Sequence, residues 1–411
     1  MRMKFNKSSQ LLLVSAASLL VAGLVTACGT LTVDFVYVTS AKAAGANNYG
    51  EVDVFEINSE SGFMRQIPTS PFPSGGRNPV ADAVSKDNNN LYVVNQDDNT
   101  IVQFVIGNDG KIYPQNTTNT PGVFPLAVTV SGSFLYVLDT YQPLPGCSSA
   151  APCSGSVAVY PIAAPTSTLS EALEPPVTNG NLNYWPLSLT GSKAADVIVP
   201  TGIAVLTSGS NTYAYVSAYD STANTGYVFA FTAGSGGTLT PLNNGVPFAA
   251  GTHPSAIAGV PNGNNVYVTD SASGVVLGYS VASGNLQPLT SGTKGGSTFP
   301  AGGQPTALVV DPSGDYVYVA NSLDSSVSAY SIANGTLTSL GTFATGLQPV
   351  AMGIDPGMHH FLYTANFLGN SVSGFELDST TGTLINTQNT PYTANAQPTA
   401  VAAVPHNGQQ N

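Results

Sequence analysis

Charged side chains are scarce in this chain, and basic ones most of all. Only 8% of the 411 residues are Asp, Glu, Lys or Arg, and acids outnumber bases by 22 to 10. A nucleic-acid-binding protein needs Lys and Arg to neutralise phosphates, and no basic patch with interleaved aromatic residues occurs here. Nucleic acid is therefore excluded as a partner. Scarce charge can accompany disorder, but the 42% of hydrophobic residues in short periodic runs indicates a packed core.

Cysteine is also rare, with three residues in the chain. Cys147 and Cys153 lie within the segment PLPGCSSAAPCSG, whereas Cys28 lies near the amino terminus. Two thiols without neighbouring Cys or His make a poor metal site, and two close cysteines in an exported protein usually pair. We therefore predict a disulfide between Cys147 and Cys153, and neither a metal nor a cofactor.

The apolar run near the amino terminus is too short for a membrane-spanning helix, which needs about 20 residues. It covers residues 11–25 and follows basic residues at positions 2, 4 and 7. This order of a basic and then an apolar segment is typical of an export signal. The run ends in VTACG, residues 25–29, which resembles the lipobox of bacterial lipoproteins.

The lipobox resemblance implies a signal peptide over residues 1–27, a lipid on Cys28 and a short tether over residues 28–33. Gly29, and not Asp, follows the cysteine, which favours the outer membrane, or a periplasmic or extracellular face, over retention at the inner membrane. The mature chain would have 7 basic and 22 acidic residues, a net charge of −15. The alternative is a plain secretory signal with a chance cysteine.

A unit of roughly 50 residues repeats along the rest of the chain and carries two motifs. In the first, Pro is followed two residues later by Ala or Gly; the second is a Tyr-Val-type strand that ends near Asn or Asp. The first motif starts at Pro79, Pro125, Pro200, Pro254, Pro305, Pro349 and Pro398. The second is centred on Tyr37, Tyr92, Tyr136, Tyr215, Tyr267, Tyr318 and Tyr363. The chain begins with an unmatched second motif and ends with an unmatched first one, which a closed ring of seven units explains.

The unit reads as four short strands separated by turn clusters. In the copy over residues 305–340 we predict strands A to D at 305–310, 316–320, 327–332 and 336–340. Four-stranded sheets repeated around an axis form a β-propeller. We predict an all-β, monomeric, seven-bladed propeller over residues 34–405, with a tail over residues 406–411. The C-terminal strand pairs into the first blade and closes the ring.

Two segments carry a resemblance to a known family. VYVTDSASGVVLGYSV (residues 266–281) and VYVANSLDSSVSAYSI (residues 317–332) are similar to YVTN-repeat propellers, which are grouped with lactonase-type propellers such as the 6-phosphogluconolactonase-like enzymes. The resemblance covers residues 34–405 and implies the seven-bladed fold and lactone hydrolysis. Those enzymes often open inner strands with Gly-Pro-Arg-His and end second strands with Tyr-Val-x-Asn-Glu. Here no Arg-His follows the prolines, and Gln96 stands in place of the Glu, where it cannot act as a base.

Polar residues are predicted to gather at one end of the central channel. Strands A and B both reach this face, so the residue before each Pro and the residues that close each B strand share one rim. We predict that this rim binds a small polar ligand, a sugar or a lactone, or an envelope protein. Its predicted members are Asn78, Asn95, Gln96, Asp139, Gln304, Asn321, Gln348, Asn366 and Gln397. The alternative is that Asn and Asp at strand ends cap their own turns.

Three residues are candidates for catalysis if the protein hydrolyses lactones. His253 is the candidate general base, because an unperturbed imidazole titrates near pH 6.5, at about the right pH for neutral catalysis. Asp270 closes strand B of the unit that His253 opens, so we expect it to orient the ring. Asp82 occupies an inner-strand position that is apolar in the other six units.

The sequence favours a lipid-anchored binding or scaffold module of the cell envelope. A lactone hydrolase with a rearranged site and a surface or adhesion protein are the two alternatives.

Overall fold

The computed structural model describes residues 33–44, 47–175, 182–193, 196–289, 298–355 and 361–405. Within these residues the chain forms seven antiparallel sheets, which we call blades 1 to 7, and two short 3-10 helices. The all-β, seven-bladed prediction is confirmed. The predicted signal peptide, Cys28 and the tail over residues 406–411 lie outside the described residues.

The strands follow the chain blade by blade. Blade 1 contains β1 (Val33–Ala44), β2 (Tyr49–Asn58), β3 (Met64–Gln66) and β4 (Phe72–Pro73). Blade 2 contains β5 (Pro79–Val84), β6 (Asn90–Asn95), β7 (Thr100–Ile106) and β8 (Ile112–Asn119). Blade 3 contains β9 (Val123–Ser131), β10 (Phe134–Tyr141), β11 (Ser156–Ala163), β12 (Thr168–Leu169) and β13 (Trp185–Pro186). Blade 4 contains β14 (Ile198–Ser208), β15 (Asn211–Asp220), β16 (Thr225–Ala233), β17 (Leu239–Pro241) and β18 (Phe248–Ala249).

The remaining blades continue the pattern. Blade 5 contains β19 (Pro254–Gly259), β20 (Asn265–Asp270), β21 (Val275–Ala282), β22 (Asn285–Pro288) and β23 (Thr298–Pro300). Blade 6 contains β24 (Pro305–Val310), β25 (Tyr316–Asn321), β26 (Ser326–Ala333) and β27 (Thr336–Ala344). Blade 7 contains β28 (Pro349–Ile354), β29 (Phe361–Asn366), β30 (Ser371–Leu377), β31 (Leu384–Asn386) and β32 (Tyr392–Thr393). The last strand is β33 (Pro398–Val404), and the 3-10 helices are Gly191–Lys193 and Asn243–Gly245.

The ring closes between the two ends of the described chain. Strand β33 pairs with β1, with Val36 opposite Ala403 and Val38 opposite Val401. The order in blade 1 is β3-β2-β1-β33, so the inner strand of the first blade comes from the end of the chain. The predicted closure is confirmed.

The outer strand differs from the prediction of four continuous strands per blade. In five blades it is split into two short pieces, which pair with opposite ends of the third strand. In blade 1, for example, the break between β3 and β4 holds Pro68 and Pro71, which have no backbone N–H to donate to a ladder. Only blades 2 and 6 have an unsplit outer strand, β8 and β27, among the described residues.

A bulge at the start of every inner strand explains the Pro-x-small motif. In blade 6, Pro305 lies opposite Asn321 and Ala307 opposite Ala320, so Thr306 is the extra residue. Three bulge residues carry hydroxyls that donate to the proline carbonyl of the next blade. These bonds join Ser255 to Pro305 (2.6 Å), Thr306 to Pro349 (2.9 Å) and Thr399 to Pro79 (2.9 Å). The bulge therefore links the inner strands around the channel.

The hydrophobic core lies between blades and not within any one of them. Val38 and Phe55 of blade 1 pack with Phe361 and Val372 of blade 7 in one buried cluster. On the other side of blade 1, Val54 belongs to a cluster that continues into blade 2. Because each blade shares its core with both neighbours, no blade can be removed without exposing apolar surface.

The tyrosine of the second motif ties five of the seven blades to the next blade. In five blades its hydroxyl donates to the carbonyl of a residue with a left-handed backbone in the turn before the next blade's outer strand. The pairs are Tyr37 with Gly110 (3.1 Å), Tyr92 with Ser167 (2.5 Å), Tyr215 with Gly284 (2.8 Å), Tyr267 with Gly335 (2.8 Å) and Tyr318 with Gly382 (3.0 Å). All five side chains are fully buried, so in these blades a phenylalanine would leave the acceptor carbonyl without its donor.

Replacing one of these tyrosines tests the tie. Tyr267→Phe leaves the buried carbonyl of Gly335 without its donor, so we expect the free energy of unfolding to fall by about 1–2 kcal/mol. Tyr363→Phe is the matched control, because the buried Tyr363 hydroxyl has no hydrogen-bond partner among the described residues. It should leave stability unchanged or slightly raised. Equal losses in the two variants, measured by denaturant unfolding, would contradict the role of the hydroxyl.

Candidate functional site

In each of these blades the start of strand A and the end of strand B lie at the same mouth of the channel, as the sequence predicted. The backbone N–H of Gln96 donates to the Asn78 carbonyl (2.9 Å), and that of Ser271 to the His253 carbonyl (3.0 Å). The same bond joins the turns that follow β25 and β29 to the residues before Pro305 and Pro349. The residue before each of these prolines is therefore fixed beside the residue that follows strand B.

The residues that close the B strands point into the blades. Asn95, Asp139, Asp270, Asn321 and Asn366 are at most 1% exposed. This burial agrees with the alternative interpretation, in which Asn and Asp at strand ends cap their own turns. Their predicted role in ligand binding is not tested further by the structure.

Short-range hydrogen bonds satisfy these buried amides. Asn321 accepts from the backbone N–H of Gly302 (2.9 Å) and donates to the hydroxyls of Ser326 (3.1 Å) and Ser328 (2.9 Å). Asn366 donates in the same way to serines five and seven residues ahead, at 3.2 and 3.0 Å. The serine spacing after each Asn is the sequence signal for this structural role.

The other predicted rim residues lie at the surface of the mouth and form what we call the amide arc. Its members are Gln397, Asn78, Gln96, Gln304 and Gln348, from blades 1, 2, 6 and 7; each is exposed or half-buried. Asn78 donates to the side chain of Gln96 (3.1 Å). The three residues of blades 6, 7 and 1 keep a left-handed backbone, with φ of 53°, 58° and 44° for Gln304, Gln348 and Gln397. Non-glycine residues rarely adopt this conformation, and such strain is concentrated at functional sites.

Aromatic side chains occupy the rest of the mouth, on blades 3, 4 and 5. We call this set the aromatic arc: Phe124, Tyr141, Tyr219 and His253, all half-buried. Phe124 packs edge-on against Tyr141, with ring centroids 6.0 Å apart. Tyr219 stacks on His253 with centroids 3.9 Å apart and an angle of 32° between the rings.

Longer strands bring the aromatic arc to the mouth. Strand β10 continues past Asp139 to Tyr141, and β15 past Ala218 to Asp220, where Tyr219 pairs with Val199. The sequence analysis missed Tyr141 and Tyr219. A tyrosine one or two residues after the end of the Tyr-Val strand was the available signal.

The side chain next to the His253 ring is a serine, and not the acid that was expected to orient it. Nδ1 of His253 lies 3.1 Å from the hydroxyl of Ser271. Asp270 instead accepts from backbone N–H groups, those of Thr252 (2.8 Å) and His253 (3.2 Å), and does not contact the ring. In this structure the carboxylate of Asp270 holds the turns and the imidazole of His253 lies beside Ser271; a catalytic role of Asp270 in a lactonase stays a prediction. These bonds lower its pKa, although burial acts in the opposite direction as the largest single influence.

Asp82 lies deep in the channel wall of blade 2. Its carboxylate accepts from the Thr39 hydroxyl of blade 1 (2.7 Å), and it is half-buried. Burial raises its pKa to about 7, and the bond from Thr39 offsets this in part. Asp82 belongs to blade 2 and His253 to the rim of blade 5, so the structure does not bring the two together.

Both arginines among the described residues are already paired. Arg77 binds Asp98 at the rim of blade 2 (2.6 Å), and Arg65 binds Glu56 on the outer side of blade 1. Within the described ranges, His, Asp and Arg side chains therefore form no common cluster of the kind that a lactone hydrolase would use. In the same ranges no three His, Cys, Asp or Glu side chains lie together in a way that could hold a metal ion.

The loop after Tyr141 carries the predicted disulfide. Cys147 and Cys153 are bonded, which confirms the pairing. The N–H of Gln142 donates to the carbonyl of Ser154 (3.0 Å), so the loop returns to the mouth beside the aromatic arc. In the part of the chain that the structure describes, no helix is long and apolar enough to cross a membrane.

Comparison with known families decides the classification. The family described as "Lactonase, 7-bladed beta-propeller" matches residues 47–143 and 204–402, which is more than half of the chain. The chain belongs to this family. No curated protein sequence matches it.

Several solved structures share the fold of this lactonase-type propeller. A protein of Bacteroides fragilis, described as a candidate 6-phosphogluconolactonase, is 20% identical with a TM-score of 0.68, over 92% of this chain and 99% of its own. The periplasmic gluconolactonase of Pseudomonas aeruginosa is 19% identical with a TM-score of 0.65, over 91% and 100%. A protein of Lactobacillus plantarum is 15% identical with a TM-score of 0.66, over 90% and 99%. At these identities the likeness concerns the fold alone.

Proposed function

We propose that this lactonase-type propeller is an exported binding module that takes an uncharged, hydroxyl-rich ligand, a sugar or a lactone, at the mouth of its channel. The observation that supports it is the division of the mouth into an aromatic arc and an amide arc. Amide groups donate and accept hydrogen bonds with hydroxyls. Aromatic faces supply apolar contact to a ring whose own edge is polar, and sites of this mixed kind bind small molecules.

The charges at the mouth favour an uncharged ligand over a phosphorylated one. Phosphate recognition uses Arg or Lys in bidentate or point-charge contacts. Arg77 lies on this rim, but Asp98 already neutralises it at 2.6 Å. A strongly acidic chain, with a net charge of −12, adds to the repulsion of anions.

The location is part of the proposal and depends on the sequence of the leader. The lipobox-like segment, residues 25–29, supports a lipid on Cys28 and attachment to the outer membrane or the outer face of the envelope. Cell fractionation of the Cys28→Ser variant checks this, because retention of the variant in membranes contradicts the anchor.

Lactone hydrolysis is the second candidate, and the contact between His253 and Ser271 is what favours it. The test uses glucono-δ-lactone as the probe, with both binding and hydrolysis measured in the parent protein and in His253→Gln. We expect binding without hydrolysis above the spontaneous rate, and nearly unchanged binding in the variant, because glutamine already stands at this position in three blades. Tyr219→Ala should weaken binding about tenfold, since it removes a half-buried aromatic face from the mouth.

A different result decides for the enzyme. If the parent hydrolyses the lactone and His253→Gln loses about 10²–10⁴-fold in rate, His253 acts as a general base. Retention of full affinity by Tyr219→Ala would instead remove the support for the aromatic arc as a binding surface.

A further inference from the structure

Three leucines beside the amide arc are exposed to an unusual degree. Leu323 is 74% exposed, and Leu347 and Leu368 are each 61% exposed. They lie on blades 6 and 7, in the turns after β25 and β29 and directly before Gln348. Exposed apolar side chains that are grouped in this way mark contact sites, whereas single ones do not.

Backbone hydrogen bonds show that the leucines and the glutamines form one surface. The N–H of Leu323 donates to the carbonyl of Gly303 (3.2 Å), next to Gln304. The N–H of Gly369 donates to the carbonyl of Leu347 (3.0 Å), so the turn that contains Leu368 is held against the residue before Gln348. We call Leu323, Leu347 and Leu368 the leucine patch; it borders the amide arc on its outer side.

The size of the leucine patch fits an alkyl chain better than a protein. A stable protein interface buries about 800 Å² on each partner, which three side chains cannot supply. The exposed carboxylate of Asp324 follows Leu323 directly and makes this surface unfavourable for an anionic lipid bilayer. A single uncharged alkyl chain that extends outward from the channel mouth needs only a small contact area and is not repelled by the carboxylate of Asp324.

We propose that the mouth binds a neutral amphiphile, with a hydroxyl-bearing head group at the amide and aromatic arcs and an alkyl or acyl chain on the leucine patch. This inference rests on the proposed function, since it names the ligand class of the same site. The head group alone would bind through the arcs, and the chain would add apolar contact with Leu323, Leu347 and Leu368.

The test compares glycosides that differ only in chain length. Methyl and octyl β-D-glucoside, and the corresponding β-D-galactosides, are titrated into the mature protein by calorimetry at concentrations below micelle formation. Burial of each methylene favours binding about fourfold, so even partial contact of the octyl chain should give at least about tenfold tighter binding than the methyl glycoside.

Substitutions assign the gain to the leucine patch. Leu347→Asn combined with Leu368→Asn should remove most of the octyl gain and leave methyl binding unchanged. Ile385→Asn is the control, because Ile385 is also exposed, at 55%, but lies on the outer strand β31. Gln348→Ala should weaken both glycosides of a pair equally.

The outcomes separate the two proposals. Equal binding of methyl and octyl glycosides, or an octyl gain that survives the leucine substitutions, overturns the amphiphile and leaves the binding function in place. Failure of all four glycosides to bind overturns both the binding function for hydroxyl-rich rings and the amphiphile with it.

Discussion

A chain that ends at Gln397 is expected to lose cooperative folding. The truncation removes β33, the inner strand of blade 1, and with it the buried Val401 and Val404 that pack toward blades 7 and 2. Burial of two such side chains contributes about 3–6 kcal/mol, which is a large share of a total stability of about 5–15 kcal/mol. It also leaves β1 as an open edge. We expect no cooperative thermal transition, or one lowered by at least about 4–8 °C.

The control for this truncation is a chain that ends at Pro405. It keeps every residue of β33 and should melt as the parent does. If the chain that ends at Gln397 melted at the parent temperature, the pairing of β33 with β1 would not be what closes the ring.

Asp82→Asn is expected to stabilise the protein, and more so at pH 8 than at pH 5. Asn has the shape of Asp and can still accept from the Thr39 hydroxyl, but it needs no desolvated charge. The pKa of Asp82 is raised from 3.8 to about 7 in the folded protein. Below about pH 4 the group is protonated in both folded and unfolded chains, so it has no effect on stability. Between pH 4 and 7 only the folded state holds the proton, so stability falls as pH rises.

Above pH 7 the whole penalty is present, and the variant avoids it. The full shift corresponds to about 4 kcal/mol, and access of channel water to the half-buried side chain reduces this to roughly 1–4 kcal/mol. Asp139 and Asp53, whose pKa values burial raises to about 7 and about 6, give parent and variant the same trend. The difference in melting temperature between parent and variant, followed from pH 5 to pH 8, therefore isolates Asp82.

The exposed carboxylate of Glu60 provides the matched comparison, since Glu60→Gln changes the same chemical group at the surface. Its melting difference from the parent should stay small and flat across this range. If Asp82→Asn showed the same flat profile, the channel wall would not disfavour the charge.

The fold was predictable because the same two motifs occur in every unit of the repeat. Each Pro-x-small motif marks an inner strand and each Tyr-Val motif marks the strand beside it, so a copy that departs from the pattern can still be assigned from the other copies. The split outer strands were not predicted, because their short pieces are set by loops that differ in every blade. In blade 1 the two prolines between β3 and β4 are visible in the sequence, but they do not show at which residue the outer strand resumes its pairing with the third strand.

The site was predicted less completely than the fold: the amide arc was predicted, but most of the aromatic arc was not. The amide arc follows from the motif, since Gln304, Gln348 and Gln397 each precede a motif proline. The contact of Tyr219 with His253 joins residues of different blades, and no local pattern reports such a distance. The buried Asn321 and Asn366 were assigned to the same rim as the glutamines because the alternation of a strand does not by itself tell which side of a closing turn is solvent.

The split outer strands affect how readily the sheet edges of two copies of the protein can pair. Charged side chains on an outer strand are one common protection against pairing between sheet edges, and only 8% of the residues in this chain are charged. An unsplit outer strand offers a second copy a full row of free N–H and C=O groups, whereas pieces of two to four residues offer too few to hold a neighbour. Five of the seven circumferential edges are thus poor templates for sheet growth. In this propeller, the short pieces of the outer strands therefore give the protection against edge-to-edge pairing that charged edge residues give in other sheets.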